Sequence, residues 1–366
     1  MRSIYISGLF AYAAISSLFP IISPYAHTLG SSESISALIA GAYALTTSIA
    51  MIPFGFLSDR YGREFFLFSG LSICTLMAIL YTLAMNPFQL LAVRLLHGFA
   101  IAMYIPAVNA LVADISKRRG EAIGYLSAFL MFGFVIGPFL SGIIAEEFGI
   151  LQVFYLSAVL SLISTLLPLK LLTKKKLSSS PLFESRLGFN RTLVRAITAT
   201  FFASFGSAAI VLFAIPFYSS KLGITKAEVG IATSLLFLLS AISRIPAGIL
   251  SDKVGRTAVI LIGLSIEGFS IALTLTNDPI QLFTAMSACG IGMGFANTAS
   301  FALASDLKNR GFAMGAVNSF LNAGIFFGSA LTGYLAEFLG FQSVFYVASV
   351  LTLLSALAVA LIKEGD

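Results

Sequence analysis

The sequence predicts an all-α polytopic membrane protein with twelve transmembrane helices in two pseudo-symmetric six-helix bundles. Three observations carry this. Hydrophobic residues make up 58% of the 366-residue chain and charged residues only 10%, with a mean hydropathy of +0.96. Soluble domains carry about 25% charged residues, so the bilayer has to be the solvent for this much apolar surface. Second, Gly55-Phe56-Leu57-Ser58-Asp59-Arg60-Tyr61-Gly62-Arg63 returns as Gly248-Ile249-Leu250-Ser251-Asp252-Lys253-Val254-Gly255-Arg256, at an offset of 193 residues. A loop duplicated at half-length marks a doubled bundle. Third, the Lys and Arg residues crowd into alternate short loops.

A helix needs about 20 apolar residues to cross the hydrocarbon. Twelve such stretches run at roughly 4–27, 33–57, 65–85, 87–113, 121–145 and 150–172, then 194–219, 226–250, 257–276, 279–305, 312–336 and 341–362. The one long connection, 173–192, is preceded by Leu172, begins with basic residues and is serine-rich, as a linker between halves is expected to be. The division is therefore an N-terminal six-helix bundle over 1–172, a cytoplasmic linker over 173–192 and a C-terminal six-helix bundle over 193–366. The first apolar run lacks a small-residue cleavage site and is expected to be a retained span.

Counting charges sets the topology. Of the 22 Lys and Arg, Lys221 and Lys226 fall on one side, Arg94 and Arg244 fall within spans, and the remaining eighteen share the other side. The positive-inside rule then places both termini in the cytoplasm of a multi-pass cell-membrane protein. This placement also explains the net charge of +6 without nucleic acid as a partner. Cys74 and Cys289 both sit in apolar stretches and imply no disulfide.

The repeat extends past the loop. Leu29-Gly30 matches Leu222-Gly223 and Pro53 matches Pro246 at 193; Gly98 matches Gly290 and Asp114 matches Asp306 at 192. Gly124, Gly133, Gly137 and Gly142 match Gly315, Gly324, Gly328 and Gly333 at 191. Six spans per half give both halves the same orientation, related by an axis along the membrane normal.

These residues resemble the major facilitator superfamily over nearly the whole chain. Gly55 to Arg63 is similar to that family's loop between helices 2 and 3, with Glu64 where a base is usual. Arg94-Leu95-Leu96-His97-Gly98 resembles its helix-4 motif, with His97 where Gln is common. Gly124, Gly133, Gly137-Pro138 and Ser141-Gly142 in the fifth stretch resemble its antiporter motif, and the second-half copy has Ser329 in place of the proline. The resemblance implies a proton-coupled exporter of drug-like compounds, closest to the drug:proton antiporter branch. Small-molecule substrate, protons and membrane lipids are the implied partners, with the chain acting as a monomer.

The loop cluster also has a physical reading. Gly62 and Gly255 permit tight turns, and a carboxylate can sit against the exposed N–H groups of a helix start. The resemblance supplies the partners: Asp59 against the eleventh stretch near Gly311, Asp252 against the fifth near Gly120, and Arg63 and Arg256 paired with Asp114 and Asp306. Gly55, Gly248 and these residues would form a latch for the outward-facing state; the alternative is a set of ordinary loop charges. The four glycines of the fifth stretch offer a smooth face for close helix approach, with Pro138 bending the helix. That face is expected to pack on the other half, either with a coupling role or as plain packing.

Ionisable groups inside spans are costly, by at least about 3 kcal/mol when unpaired. Arg94 and His97, three apart, share a helical face; His97 either releases a proton on substrate binding or simply hydrogen-bonds a neighbouring helix. Glu267 is the one acid deep within a span, and Arg244 lies at a depth within roughly 5 Å of it. A static ion pair is expected, with a proton-loading carboxylate as the alternative. By resemblance, the substrate cavity lies between the halves, and its polar candidates are Tyr12, Ser16, Tyr104, Asn109, Asn297, Asn318 and Asn322. Few fixed charges favour amphipathic neutral or cationic cargo, whereas the two buried arginines leave open uptake or exchange of an organic anion. The chain has no HExxH, GxSxG or GxxxxGK[ST] sequence, so neither enzyme chemistry nor direct ATP coupling is expected, and no cofactor or metal is called for.

Overall fold

Polar caps and prolines set where the helices begin. Ser32, Asn86, Asn190, Thr225 and Asp278 each accept a hydrogen bond from a backbone N–H in the first turn of the following helix, and Pro87 and Pro279 occupy first helical positions. The computed structural model describes residues 1–116, 118–169, 190–307 and 310–362, with Arg119, Gly120, Arg310 and Gly311 as backbone only. Nearly all of the expected linker over 173–192, together with Lys117, lies outside the described residues.

The helices are α1 (Arg2–Ser16), α2 (Ile22–Thr28), α3 (Glu33–Tyr61), α4 (Arg63–Leu80), α5 (Pro87–Ile115), α6 (Arg119–Glu147) and α7 (Ile150–Leu166) in the first half. The second half has α8 (Arg191–Ala208), α9 (Ile215–Leu222), α10 (Lys226–Val254), α11 (Arg256–Leu273), α12 (Pro279–Ser305), α13 (Arg310–Leu339) and α14 (Gln342–Leu361). Among the described residues fourteen segments make twelve spans, because the first and seventh spans are each built of two. Residues 17–21 separate α1 from α2, and the wide turn Ala209–Ala214 joins α8 to α9. These interruptions coincide at the repeat offset of 193, and a proline lies at or just after each, Pro20 and Pro216.

The backbone carries the duplication as plainly as the sequence does. Among the described residues the glycines with positive φ form three pairs: Gly30 with Gly223, Gly62 with Gly255, and Gly149 with Gly340. Each pair makes the same turn in the two halves, in a region of φ that other residues avoid.

Within each half, consecutive spans are not always neighbours. α5 packs between α3 and α4, and α12 packs between α10 and α11. Glycines permit both approaches. A Cβ on Gly70 would lie 2.8 Å from the Ala100 carbonyl oxygen, and one on Gly263 would lie 2.5 Å from the Ala296 nitrogen.

The helices carry charges mainly at their ends. One end of the bundle holds Arg60, Arg63, Arg118, Lys253 and Arg256 and is called the basic end here. The opposite, acidic end holds Glu33, Glu146, Glu147, Glu228 and Glu337. Two seams join the halves, α3 on α13 and α6 on α10. The largest buried apolar cluster contains residues of both halves and lies toward the acidic end, from Ile15, Ile39 and Phe154 to Phe213, Leu236 and Phe345. Toward the basic end the core divides. Ile4, Phe66, Leu111 and Leu126 form a cluster of the first half alone, and Leu193, Val259, Leu303 and Val359 form one of the second half alone. The halves therefore share one core at the acidic end and keep separate cores at the basic end.

Candidate functional site: the passage between the halves

At the basic end, the two copies of the loop build matching arginine clusters. Arg63, at the start of α4, donates to Asp59 Oδ1 from Nη2 at 2.9 Å, to the Ala110 carbonyl at 2.8 Å, and to Asp114. Arg256, at the start of α11, donates to Asp252, to Ser251 Oγ at 2.7 Å and, from Nε, to Asp306 Oδ2 at 3.3 Å. Each arginine thus ties its own loop to the end of α5 or α12. Asp59 and Asp252 remain 47% and 67% exposed. Their expected partners in the opposite half, the starts of α13 near Gly311 and α6 near Gly120, lie outside the residues whose side chains are described. Gly55 faces Pro106 and Gly248 faces Thr298, both within their own halves.

The glycines of α6 do not share one partner, which corrects the expectation of a single face against the other half. Gly133 and Gly137 lie against α1: a Cβ on Gly133 would meet Tyr12 Cβ at 2.8 Å, and one on Gly137 would meet Ser16 and Ala13. Only Gly142 crosses to the other half, where its Cβ would lie 2.8 Å from Gly230 Cα on α10. Gly124, near the basic end, has nothing within 4 Å. The four-residue step keeps Gly133 and Gly137 on one side, whereas the nine- and five-residue steps turn Gly124 and Gly142 away from it, so one helix serves two neighbours. Gly315, Gly324, Gly328 and Gly333 repeat the arrangement: open space, α8, α8 again and α3 across the seam. Pro138 lies inside an unbroken α6, and Ser329, its second-half counterpart, donates across the seam to the Ala37 carbonyl at 2.6 Å.

Where the halves meet, aromatic rings pack on one another. Phe134 of α6 stacks on Phe237 of α10 with centroids 4.9 Å apart, and Phe19, in the break of the first span, touches both at 6.0 and 6.1 Å. Tyr12 meets Phe134 edge-on at 4.8 Å, and Tyr43 of α3 stacks with Phe19 at 6.0 Å. The Arg94 guanidinium lies over the Tyr43 ring, 4.4 Å from its centroid. Of this group the sequence pointed only to Tyr12 and Arg94. The other rings are hidden among 34 phenylalanines, although Phe134 is flanked by the motif glycines.

Arg94 is fully buried. Its Nη2 donates to the Ala40 carbonyl at 3.1 Å and its Nη1 reaches Tyr81 Oη at 3.5 Å, whereas Nε has no partner. Tyr81 Oη also lies 2.9 Å from His97 Nδ1. Tyr81 therefore links the two, and His97 is held by a hydrogen bond to the turn after α4. No carboxylate joins this cluster among the described residues.

Glu267 is also fully buried. Ser207 Oγ donates to its Oε1 at 2.5 Å and also lies 3.3 Å from Met293 Sδ, and Glu267 Oε2 has no partner. The expected ion pair with Arg244 is not formed. The reason is α12: Glu267 points toward α8, with its Cβ packed on Gly292 of α12, whereas Arg244 rides on α10, beyond α12. Equal depth does not bring the two groups together when another helix stands between them. Arg244 is half-buried, and its Nε is unpartnered.

The remaining cavity candidates separate. Ser16 donates to the Gly133 carbonyl at 3.1 Å and belongs to the α1–α6 joint. Tyr104 faces the first-half core beside Gly8 and Gly70, not the passage, because Gly70 leaves room for it there. Asn109, Asn318 and Asn322 each donate to the carbonyl four residues back, at 2.9, 3.0 and 2.9 Å. Asn297 is buried and its Oδ1 has no partner.

Comparison with known proteins agrees with this arrangement. The family model described as Major Facilitator Superfamily matches residues 4–197 and 196–365. An uncharacterized MFS-type transporter of Methanocaldococcus jannaschii is 28% identical, over 96% of this chain and 94% of its own. Multidrug resistance protein 2 of Bacillus subtilis is 28% identical, over 91% of this chain and 88% of its own. The inward-facing, occupied structure of a bacterial homologue of the human lysosomal transporter Spinster superposes with a TM-score of 0.83 at 17% identity, covering 99% of this chain and 95% of that one. Repeat, fold and family match agree, and the chain is a member of the Major Facilitator Superfamily.

Proposed function

We propose that this chain is a secondary active transporter that exports small amphipathic or drug-like molecules by alternating access, driven by proton entry. One observation carries the reading: the halves share a core at the acidic end and separate at the basic end, with an aromatic joint between them. Two halves that share a core toward one end can rock about that joint. The basic end carries Arg60, Arg63, Arg118, Lys253 and Arg256, so the positive-inside rule puts that end in the cytoplasm. On this reading the bundle faces inward, and the exposed carboxylates of Asp59 and Asp252 are the groups that the latch would take up. When the basic end closes, each carboxylate docks on a helix start of the other half.

Cargo class follows from the joint. Phe19, Phe134, Phe237, Tyr12 and Tyr43 offer ring faces and edges, which suit flat apolar molecules and cations. The multidrug resistance proteins among the relatives point the same way. Uptake of an organic anion is the weaker reading, because Arg94 is fully buried behind Tyr43 and leaves only half-buried Arg244 to receive one. Glu267 is the proton-carrying group. It is the carboxyl deep in the bundle, and no cation pairs with it among the described residues. The monomer, surrounded by lipid, suffices for this cycle.

The test is reconstitution. Purified protein in liposomes with an imposed pH gradient is screened against dyes, antibiotics and organic acids. Proton flux is expected with aromatic or cationic amphiphiles. Flux elicited by organic acids alone would replace this reading with the anion carrier.

A further inference from the structure

We propose that Glu146 and Glu337 form a duplicated outer latch that holds the acidic end closed, and that its release is the step that opens that end. The inference rests on the alternating-access reading above. Glu337, near the end of α13, accepts a hydrogen bond from the backbone N–H of Ser34 at 3.1 Å. Glu146, near the end of α6, accepts one from the backbone N–H of Lys226 at 3.0 Å. In each case the donor belongs to the first turn of a helix in the opposite half, α3 or α10.

The two contacts are near copies. Glu146 and Glu337 are separated by 191 residues, the offset of the glycine series, and the donors Ser34 and Lys226, the second residue of α3 and the first of α10, by 192. The donors are ones that local caps leave free. Ser32 takes the N–H of Ile35 and Thr225 takes that of Glu228, so Ser34 and Lys226 still need acceptors. A carboxylate at this position also meets the positive end of the helix dipole. Close approach is arranged one turn away. A Cβ on Gly333 would lie 3.0 Å from the Glu33 carbonyl oxygen, and one on Gly142 would lie 2.7 Å from that of Lys226. The α3 seam gains a further tie, since Tyr218 Oη donates to Glu33 Oε2 at 2.5 Å with Lys221 Nζ 4.0 Å from the other carboxylate oxygen.

Neither carboxylate has this partner within its own half, so each bond exists only while the acidic end is shut. The arrangement mirrors, at the opposite face, the docking proposed for Asp59 and Asp252. Each face then has a pair of carboxylates that reach helix starts across the seam, and closing one pair requires opening the other.

The test uses spin-label pairs across the two seams, Glu147→Cys with Ala227→Cys and Ile35→Cys with Phe338→Cys, in a chain whose buried Cys74 and Cys289 are replaced by Ala. Glu146→Ala with Glu337→Ala is expected to raise the ratio of long to short distances about tenfold. The Gln pair, which keeps an acceptor oxygen, is expected to shift it less. Asp278→Ala removes a carboxylate from the same end that caps α12 within its own half, and is expected to leave the ratio unchanged. The latch is overturned if wild type lengthens both distances on addition of cargo and the double Ala variant matches wild type. It is equally overturned if Asp278→Ala shifts the ratio as far as the double variant does. A wild type that never shows the long distance overturns the alternating-access reading and the latch with it.

Discussion

Glu267→Gln is expected to abolish transport against a gradient in proteoliposomes while leaving downhill counterflow of the same cargo in place. Glutamine keeps the volume and an oxygen for the Ser207 hydroxyl, which lies 2.5 Å from the carboxylate. It removes the one property that matters for coupling, an exchangeable charge. Gain or loss of a proton at Glu267 changes the charge buried among α8, α11 and α12 by a full unit, in a setting where an unpaired charge is unfavourable by at least about 3 kcal/mol. A change of that size biases two conformations of the bundle more strongly than a single surface pair, at about 0–1 kcal/mol, does. Rates with and without an imposed pH gradient, measured on the same preparation, separate the modes. Equal loss of both, or loss of folded protein, would make Glu267 a structural group instead.

Gly142→Val is expected to leave the protein folded but unable to close its acidic end. The Cβ alone would lie 2.8 Å from Gly230 Cα and 2.7 Å from the Lys226 carbonyl oxygen, against an ordinary carbon–carbon separation of about 3.5–4.0 Å. Both neighbours are backbone, so no side chain can swing aside, and α6 and α10 have to separate. Overpacking of this kind costs about 1–3 kcal/mol, which shifts the equilibrium roughly 5- to 150-fold against the closed arrangement. Because the strain exists only when the seam is shut, the outward-open state carries none of it. Active transport is expected to fall by a comparable factor, and labels at Glu147→Cys and Ala227→Cys are expected to show the separated distance. Unchanged transport would mean that the seam has slack, and the tight α6–α10 approach would then have no role in the cycle.

The duplication was legible because it left chemistry at fixed offsets. The glycines at 30, 62 and 149 and their second-half copies occupy positive φ in both halves, and Arg63 and Arg256 reach Asp114 and Asp306, the partners that the family resemblance supplied. What the sequence hid was lateral order. A span records depth, at 1.5 Å per residue, but not which helix stands beside it. Depth alone therefore matched Glu267 with Arg244, although α12 lies between their helices. Tyr104 was assigned to the passage by resemblance and instead fills the space beside Gly70. The aromatic joint was invisible, since rings that face lipid and rings that face the passage look alike in a chain with 34 phenylalanines. Glu146 and Glu337 were easily missed too. An acid at the end of a span satisfies topology anywhere, and only the structure shows that each of these two meets a helix start from the other half.

The central claim is that the two faces open in turn. Its most direct test is to measure, in one preparation in lipid, the distance across the acidic end and the distance across the basic end while pH and cargo are varied. The acidic-end pair is Glu147→Cys with Ala227→Cys, and the basic-end pair is Tyr61→Cys with Val254→Cys. The two distances are expected to move in opposite directions, with Asp59→Asn plus Asp252→Asn holding the basic end apart. Distances that lengthen together, or a basic end that stays wide while the acidic end opens, would contradict alternating access in this protein.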